Sequence, residues 1–166
     1  MEPRILEFEK YENNLVTTGQ PLFYIGCRDL HQTIVMKAIR AVAIDDVGDI
    51  LELIEYNLNK EGIEVDPYTE SNEALKDIFR NPPDIVICDW MMPAPDGLEV
   101  VKTIKSNDLT KKIPLIMLTC KGSIHDYKEA IRAGAEDYVV KPVRMEELIR
   151  RIKLLLPDHS RRVNIG

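Results

Sequence analysis

The chain has 166 residues, 45% of them hydrophobic and 30% charged, with a formal net charge of −6, which is the composition of one soluble globular domain with a real core. The acidic balance argues against direct nucleic-acid binding or a membrane-surface patch spread over the whole chain, because phosphate groups recruit Lys and Arg. No apolar run approaches the ~20 residues that a membrane helix needs, and Met1 to Phe8 alternates charged and apolar residues without a signal-peptide stretch, so a cytoplasmic protein with no membrane contact is expected.

Residues 1–36 stand apart as an N-terminal extension. Pro21-Leu-Phe-Tyr-Ile-Gly26 is a candidate strand, and Leu30 to Ala38 a candidate helix leading into the first strand of the domain. No role attaches to this segment from its residues: a partner-binding arm, a dimerising arm and an extra packed element all fit it.

From Arg40 the pattern becomes regular. Ala41-Val-Ala-Ile44 is a short apolar run. Val47, Ile50, Leu51, Ile54 and Leu58 then recur at helical spacing, and Gly62 marks the stop. Ile63-Glu-Val65 is a weak alternating strand, and Ala74, Leu75, Ile78 and Phe79 mark a second helix halted before Pro82-Pro83. Asp84-Ile-Val-Ile-Cys88 is a strand apolar on both faces, and Asp96-Gly-Leu-Glu99 is a capping box opening a third helix. Ile113-Pro-Leu-Ile-Met-Leu118 is another buried strand. Ser123-Ile-His-Asp126 repeats the capping pattern ahead of Ile124, Tyr127 and Ile131, with Gly134 at the stop. Asp137-Tyr-Val-Val140 is the last strand, and Met145 to Leu156 the last helix, closed by Pro157. Residues 157–166 have no apolar periodicity and read as a frayed tail or linker.

Strand and helix therefore alternate five times over. Continuous apolar strands imply a sheet covered on both faces, and alternation with helices implies parallel strands with right-handed crossovers. The expected fold is a doubly wound α/β domain over residues 37–156. Its functional groups belong at the carboxyl ends of the strands.

The polar residues at the strand ends are informative as a set. The first strand ends in Asp45-Asp46, the third in Asp89, the fourth in Thr119 and the fifth in Lys141-Pro142. Taken singly, each is weak; Asp45-Asp46 is as much a helix N-terminal pair as a metal site. Together they place three carboxylates, a hydroxyl and an ammonium along one sheet edge. Carboxylates so close repel unless a cation sits among them, and an all-oxygen set suits Mg²⁺. A lysine and a hydroxyl provide for a phosphoryl group, and a carboxylate can accept one as a nucleophile.

These residues resemble the receiver domain of two-component response regulators, of the CheY-like superfamily. The resemblance rests on Asp45-Asp46, Asp89-Trp-Met-Met-Pro-Ala-Pro-Asp-Gly97, Leu118-Thr119, Ala133-Gly-Ala-Glu-Asp-Tyr138 and Lys141-Pro142. It runs from about Ile39 to Leu156. It implies a flavodoxin-like sheet of order 2-1-3-4-5, with Asp89 as the phosphoacceptor. Mg²⁺ would be held by Asp46, Asp89 and the backbone carbonyl of Met91, with Asp45 acting mainly through a metal-bound water. It implies that Lys141 pairs with the phosphoryl oxygens through a cis bond to Pro142. Thr119 would move to the phosphoryl group and Tyr138 would follow it inward, reshaping the face of the fourth helix, last strand and last helix. That face is expected to carry Lys128, Arg132, Glu136, Asp137, Arg144, Glu147, Arg150 and Arg151, either as a solvated surface or as a homodimer contact.

The implied donor is a phosphohistidine on a sensor histidine kinase or phosphotransfer protein. The implied recipient is a downstream effector or an output domain beyond this chain, since only ten residues remain after Leu156. Such a domain promotes its own phosphorylation and a slow dephosphorylation, slow here because Met91 cannot position a water, and is not a turnover enzyme. The competing reading is an interaction module that keeps the fold and works without phosphorylation. A phosphatase of the aspartyl-phosphate type would want a second Asp at position 91, and a flavin protein would not tolerate Asp45-Asp46 where its phosphate loop belongs. The chain departs from the family pattern at Ala94-Pro95, which stiffens the loop, and at Cys120, where a small residue is commoner. Cys27, Cys88 and Cys120 are expected as reduced thiols. His31, His125 and His159 are expected at the surface, with no carboxylate at metal spacing.

Overall fold

The computed structural model describes residues 22–25, 34–120, 123–156 and 163–164. Two sheets are present among the described residues. The larger has the order β4-β3-β5-β6-β7, from β3 (Ile39–Ile44), β4 (Ile63–Tyr68), β5 (Ile85–Asp89), β6 (Leu115–Thr119) and β7 (Asp137–Val140). All four pairings in it are parallel. Counted within this sheet the order is 2-1-3-4-5, the expected doubly wound, flavodoxin-like arrangement.

The helices are α1 (Gly48–Lys60), α2 (Ser71–Arg80), α3 (Gly97–Ser106), α4 (Ile124–Ala133) and α5 (Met145–Leu155). Strand side chains alternate between faces. Val42, Ile44, Val86, Cys88, Leu115 and Met117 pack on one side with residues of α2, α3 and α4. Ala41, Ala43, Ile85, Ile87, Ile116 and Leu118 pack on the other with α1 and α5. The central strands β5 and β6 are buried along their whole length, which is why they read as unbroken apolar runs. Pro67 sits in β4, an edge strand with a single neighbour, where a missing N–H costs no ladder bond.

Helix ends obey the local signals. Asp96 and Glu99 form the reciprocal capping box at α3. The Ser123 hydroxyl caps α4 by accepting from the Asp126 N–H, and itself donates to the Asp126 carboxylate at 2.6 Å. Gly134 ends α4 at φ 113°, a left-handed conformation that favours glycine.

Two expectations are corrected. Ile34–Lys37 is a strand, β2, not part of a helix from Leu30 to Ala38. It pairs antiparallel with β1 (Leu22–Ile25), the strand expected near Pro21 to Gly26; β-branched Ile34 and Val35 suit extended pairing. Residues 30–33 lie outside the described residues. The tail is not wholly a linker: β8 (Val163–Asn164) pairs with the other edge of β2. The apolar row of α4 is largely exposed at its start. Ile124 is 75% and Tyr127 47% exposed, and Ala130 is the buried residue of the helix.

One structural element had no sequence signal. Arg40, second residue of β3, is buried and donates to Asp66 (2.6 Å), Asp77 and the carbonyl of Asn81. Burial pushes the Asp77 carboxyl upward, but the hydrogen bonds from Arg40 and Tyr68 and the Arg40 charge bring it below the ordinary value. No helix among the described residues is long and apolar enough to cross a membrane.

Candidate functional site

Strand register brings the candidate residues together. Ile44 lies opposite Cys88, Asp89 opposite Leu118 and Thr119 opposite Val140. Asp45, Asp89, Thr119 and Lys141 therefore sit at successive strand ends on the carboxyl edge. Backbone bonds tie the edge together: Trp90 N–H donates to the Leu118 carbonyl at 2.8 Å and Lys141 N–H to that of Thr119 at 2.7 Å. The Lys141–Pro142 bond is cis, as is Ala94–Pro95.

Lys141 is the centre of the charge arrangement. Its ammonium lies 2.7 Å from Asp45 Oδ2 and 3.0 Å from Asp89 Oδ1. Asp45 is fully buried and both its oxygens are engaged, Oδ1 accepting from the Val47 N–H at 3.0 Å. Asp89 is nearly buried, and its Oδ1 has the lysine charge nearby but receives no aligned hydrogen bond. Asp46 is exposed. One carboxylate oxygen from each of Asp45, Asp46 and Asp89 lies within 4.8 Å of the other two.

The electrostatics reflect that crowding. Burial pushes the Asp89 carboxyl above its ordinary value; Lys141 opposes this, while Asp45 and Asp46 add to it. Burial would lower the Lys141 ammonium, but the carboxylates of Asp45 and Asp89 beside it carry it above its ordinary value. The donor set fits a hard divalent cation. A buried carboxylate oxygen lacks a full partner, and an exposed carboxylate stands beside it. Asp45, with both oxygens committed, is less free to ligate.

The loop from Asp89 to Gly97 is shaped by three side chains. Trp90 and Met92 are buried, and Met91 is 55% exposed. Gly97 closes the loop: its N–H donates to the Trp90 carbonyl at 3.1 Å. A Cβ here would stand 2.0 Å from the Asp89 carbonyl oxygen. The glycine of the Pro-Asp-Gly stretch is therefore required by a close approach to the Asp89 backbone.

Thr119 is fully buried; burial raises the Tyr138 hydroxyl above its ordinary value, and the Thr119 hydroxyl opposes this. Tyr138 is 8% exposed. Its ring packs edge to face against Trp90 at 6.4 Å and Tyr127 at 6.0 Å.

Several other expectations change. His125 does have carboxylates at ligand spacing: it groups with Asp126 and Glu129 on α4, a pattern its i, i+4 spacing to Glu129 carried in the sequence. This group is largely exposed, and Asp126 is occupied by the α4 cap. Arg132 lines a groove of about 330 Å³ with Leu98 and Lys102 of α3, and Glu136 pairs with Lys105 of α3 at 2.6 Å. Neither belongs to the face of α4, β7 and α5. On that face Glu147 is gripped by Arg150 and Arg151 and held down to about 2, and Arg151 also reaches Asp137 at 2.6 Å. Those charges are paired within the chain. Cys88 is buried, with its thiol pushed up by burial, and Cys120 is exposed. Cys27, His31 and His159 lie outside the described residues.

Residues 41–153 match the family model of the response regulator receiver domain. Among solved structures, a response regulator from Chloroflexus aurantiacus is 35% identical with a TM-score of 0.69, covering 75% of this chain and all of that one. The chemotaxis protein CheY4 of Vibrio cholerae is 30% identical, TM-score 0.68, covering 71% of this chain and 98% of that one. The receiver domain of the Francisella response regulator 1452 is 29% identical, TM-score 0.67, covering 74% and 98%.

Proposed function

The chain belongs to the response regulator receiver-domain family, and from that premise we propose that it is a phosphorylatable switch in which Asp89 takes a phosphoryl group from a phosphohistidine. The observation that carries this reading is the bridge of Lys141 between Asp45 and Asp89, with the Asp89 Oδ1 oxygen short of a hydrogen bond. A buried, incompletely partnered carboxylate is poised to act as a nucleophile once its charge is balanced.

Asp46, Asp89 and the Met91 carbonyl would hold Mg²⁺, with Asp45 behind them. When bound, the cation supplies neutralisation of the phosphoryl and carboxylate charges. Lys141 supplies a fixed positive charge at the acceptor oxygen, and its two aspartate contacts keep it protonated. Thr119 supplies a hydroxyl that can turn to a phosphoryl oxygen for a charge-assisted bond. That movement, with Tyr138 following it, is the conformational step proposed for the face of α4, β7 and α5.

The proposed partners are a sensor histidine kinase or phosphotransfer protein upstream and an effector or output domain downstream, all in the cytoplasm. The protein promotes its own phosphorylation and slow dephosphorylation without being a turnover enzyme.

The test is incubation with Mg²⁺ and acetyl phosphate, then intact mass, with Asp89→Asn in parallel. A gain of one phosphoryl group in the parent alone is expected. A second reading, an interaction module independent of phosphorylation, draws on the separate sheet of β1, β2 and β8, whose residues lie outside the stretch matched to the family. It would take over if the parent gains nothing while still binding Mg²⁺.

A further inference from the structure

The groove between α3 and α4 takes no part in the phosphoacceptor chemistry proposed above. It holds about 330 Å³ and is lined by Leu98 and Lys102 of α3 and by His125, Glu129, Arg132 and Ala133 of α4. The four α4 residues recur at helical spacing and form one stripe. Leu98 is buried and Ala133 half-buried, which makes the floor apolar. Lys102, His125, Glu129 and Arg132 are exposed and form the rim.

That rim is basic in a protein whose net charge is −6. Lys102 and Arg132 form no ion pair among the described residues, whereas Lys105, one turn further along α3, is tied to Glu136 at 2.6 Å and to the Ile113 carbonyl at 2.7 Å. Two unpaired cations therefore stand against one rim carboxylate, Glu129. The balance decides which ligand suits the groove. His125, Asp126 and Glu129 lie close enough to share a metal ion. A cation there would meet Lys102, Arg132 and the positive pole at the start of α4, and Asp126 is committed to the helix cap. The fitting occupant instead brings carboxylates to the rim and an apolar side chain to the floor.

One stretch of this chain has that composition. Leu6-Glu-Phe-Glu9 alternates apolar and acidic residues, with Glu2 and Glu12 close by in sequence. Residues 9–21 separate Phe8 from β1, and a chain of that length spans roughly 45 Å when extended, more than the ~30 Å across a small domain. A tether that reaches its site also raises the local concentration to about the millimolar range, which favours this occupant over a free peptide of the same chemistry.

We infer that the Leu6-Glu-Phe-Glu9 stretch docks in the α3–α4 groove of its own chain, with Glu7 and Glu9 on Lys102 and Arg132 and Phe8 over Leu98 and Ala133. This docking is independent of phosphorylation at Asp89.

The experiment is zero-length carbodiimide crosslinking of the full chain, which joins a carboxylate to an amine only in direct contact. It is read by peptide mapping on an equal mixture of isotope-labelled and unlabelled protein. Crosslinks from Glu7 or Glu9 to Lys102, within one isotope, are expected. Arg132→Gln should reduce their yield roughly two- to fivefold, the worth of one exposed ion pair. Phe8→Ser should reduce it further, by removing the apolar anchor. Lys128→Gln, on exposed α4 surface outside the groove, should leave the yield unchanged, and high salt should lower it. No crosslink from residues 1–14 to Lys102 overturns the inference. A statistical share of mixed-isotope pairs also overturns it, since a second copy is then the occupant. Equal yields in the parent, Phe8→Ser and Arg132→Gln overturn it as well, because they report random collision.

Discussion

The ammonium of Lys141 lies 2.7 Å from the Asp45 carboxylate, across 96 positions of chain, and this pair also governs Asp89. Asp45 is fully buried and shares the lysine with Asp89. The site thus holds two inward carboxylates on one cation, with the exposed Asp46 adding to the negative charge. It is short of positive charge by construction, and that shortage should show in the stability of variants at Asp89 and Lys141.

Without divalent cation, Asp89→Asn should be more stable than the parent by about 1–2 kcal/mol at neutral pH, because it removes a buried anion short of a partner. The pH sign agrees. The Asp89 pKa is raised in the fold above its ordinary 3.8, so the folded state holds its proton more tightly than the unfolded state. Parent stability gains as pH falls through that window and is lower above it. Urea denaturation in EDTA at several pH values checks this. Added Mg²⁺ should narrow or reverse the gap, since the cation stabilises only a protein that offers the full carboxylate set. An Asn variant weaker than the parent in EDTA would remove the premise of charge strain at Asp89.

Lys141→Met should cost about 3 kcal/mol, because it leaves Asp45 buried and uncompensated. The Lys141 pKa is raised in the fold. Its contribution is fully present below the ordinary 10.5 and is lost as pH rises through the folded value. Parent stability should therefore fall on strong alkalinisation more steeply than that of the variant, as read by denaturant midpoints from about pH 8 upward.

Gly97→Ala should destabilise by about 2 kcal/mol or more, since the added methyl meets backbone atoms that cannot step aside. Because the clash falls on the Asp89 carbonyl and the Trp90 Cα, phosphorylation by acetyl phosphate should slow as well. Thermal melts and timed intact-mass measurements test both. A variant that melts like the parent would mean the loop can move away at little cost.

Arg40→Ala should cost about 3 kcal/mol by stripping Asp77 of its main partner in a buried setting. The Asp77 pKa is lowered in the fold, so its contribution is present above 3.8 and lost as pH falls through the folded value. The gap between parent and variant should accordingly shrink in acid. Arg40 sits at the amino end of its strand, opposite the acidic edge, so phosphorylation of the folded variant should proceed at the parental rate.

The alternation of elements was legible because its signals are local. A period of two, a period near 3.6, a capping box at Asp96 and Glu99 and a glycine at position 134 each act within a few residues. Once five strands run parallel, the residues after their last positions must share the carboxyl edge, so Asp45, Asp89, Thr119 and Lys141 could be grouped without coordinates. The Leu30 to Ala38 segment misled because its short apolar run suits helix and strand alike, and the choice lay with pairing partners at Leu22–Ile25 and Val163–Asn164, far along the chain.

The sequence by itself determined which residues stand at the site and on which edge, since burial patterns and strand ends are properties of neighbouring residues. Only the tertiary structure decided that Asp45 points inward to Lys141 while Asp46 remains exposed. The same holds for the salt-bridged burial of Arg40, the turn of Arg132 and Glu136 toward α3, and the seating of Tyr138 between Trp90 and Tyr127. Each of those outcomes depends on side chains from elements distant in sequence competing for the same few ångströms, and no local pattern encodes the result of that competition.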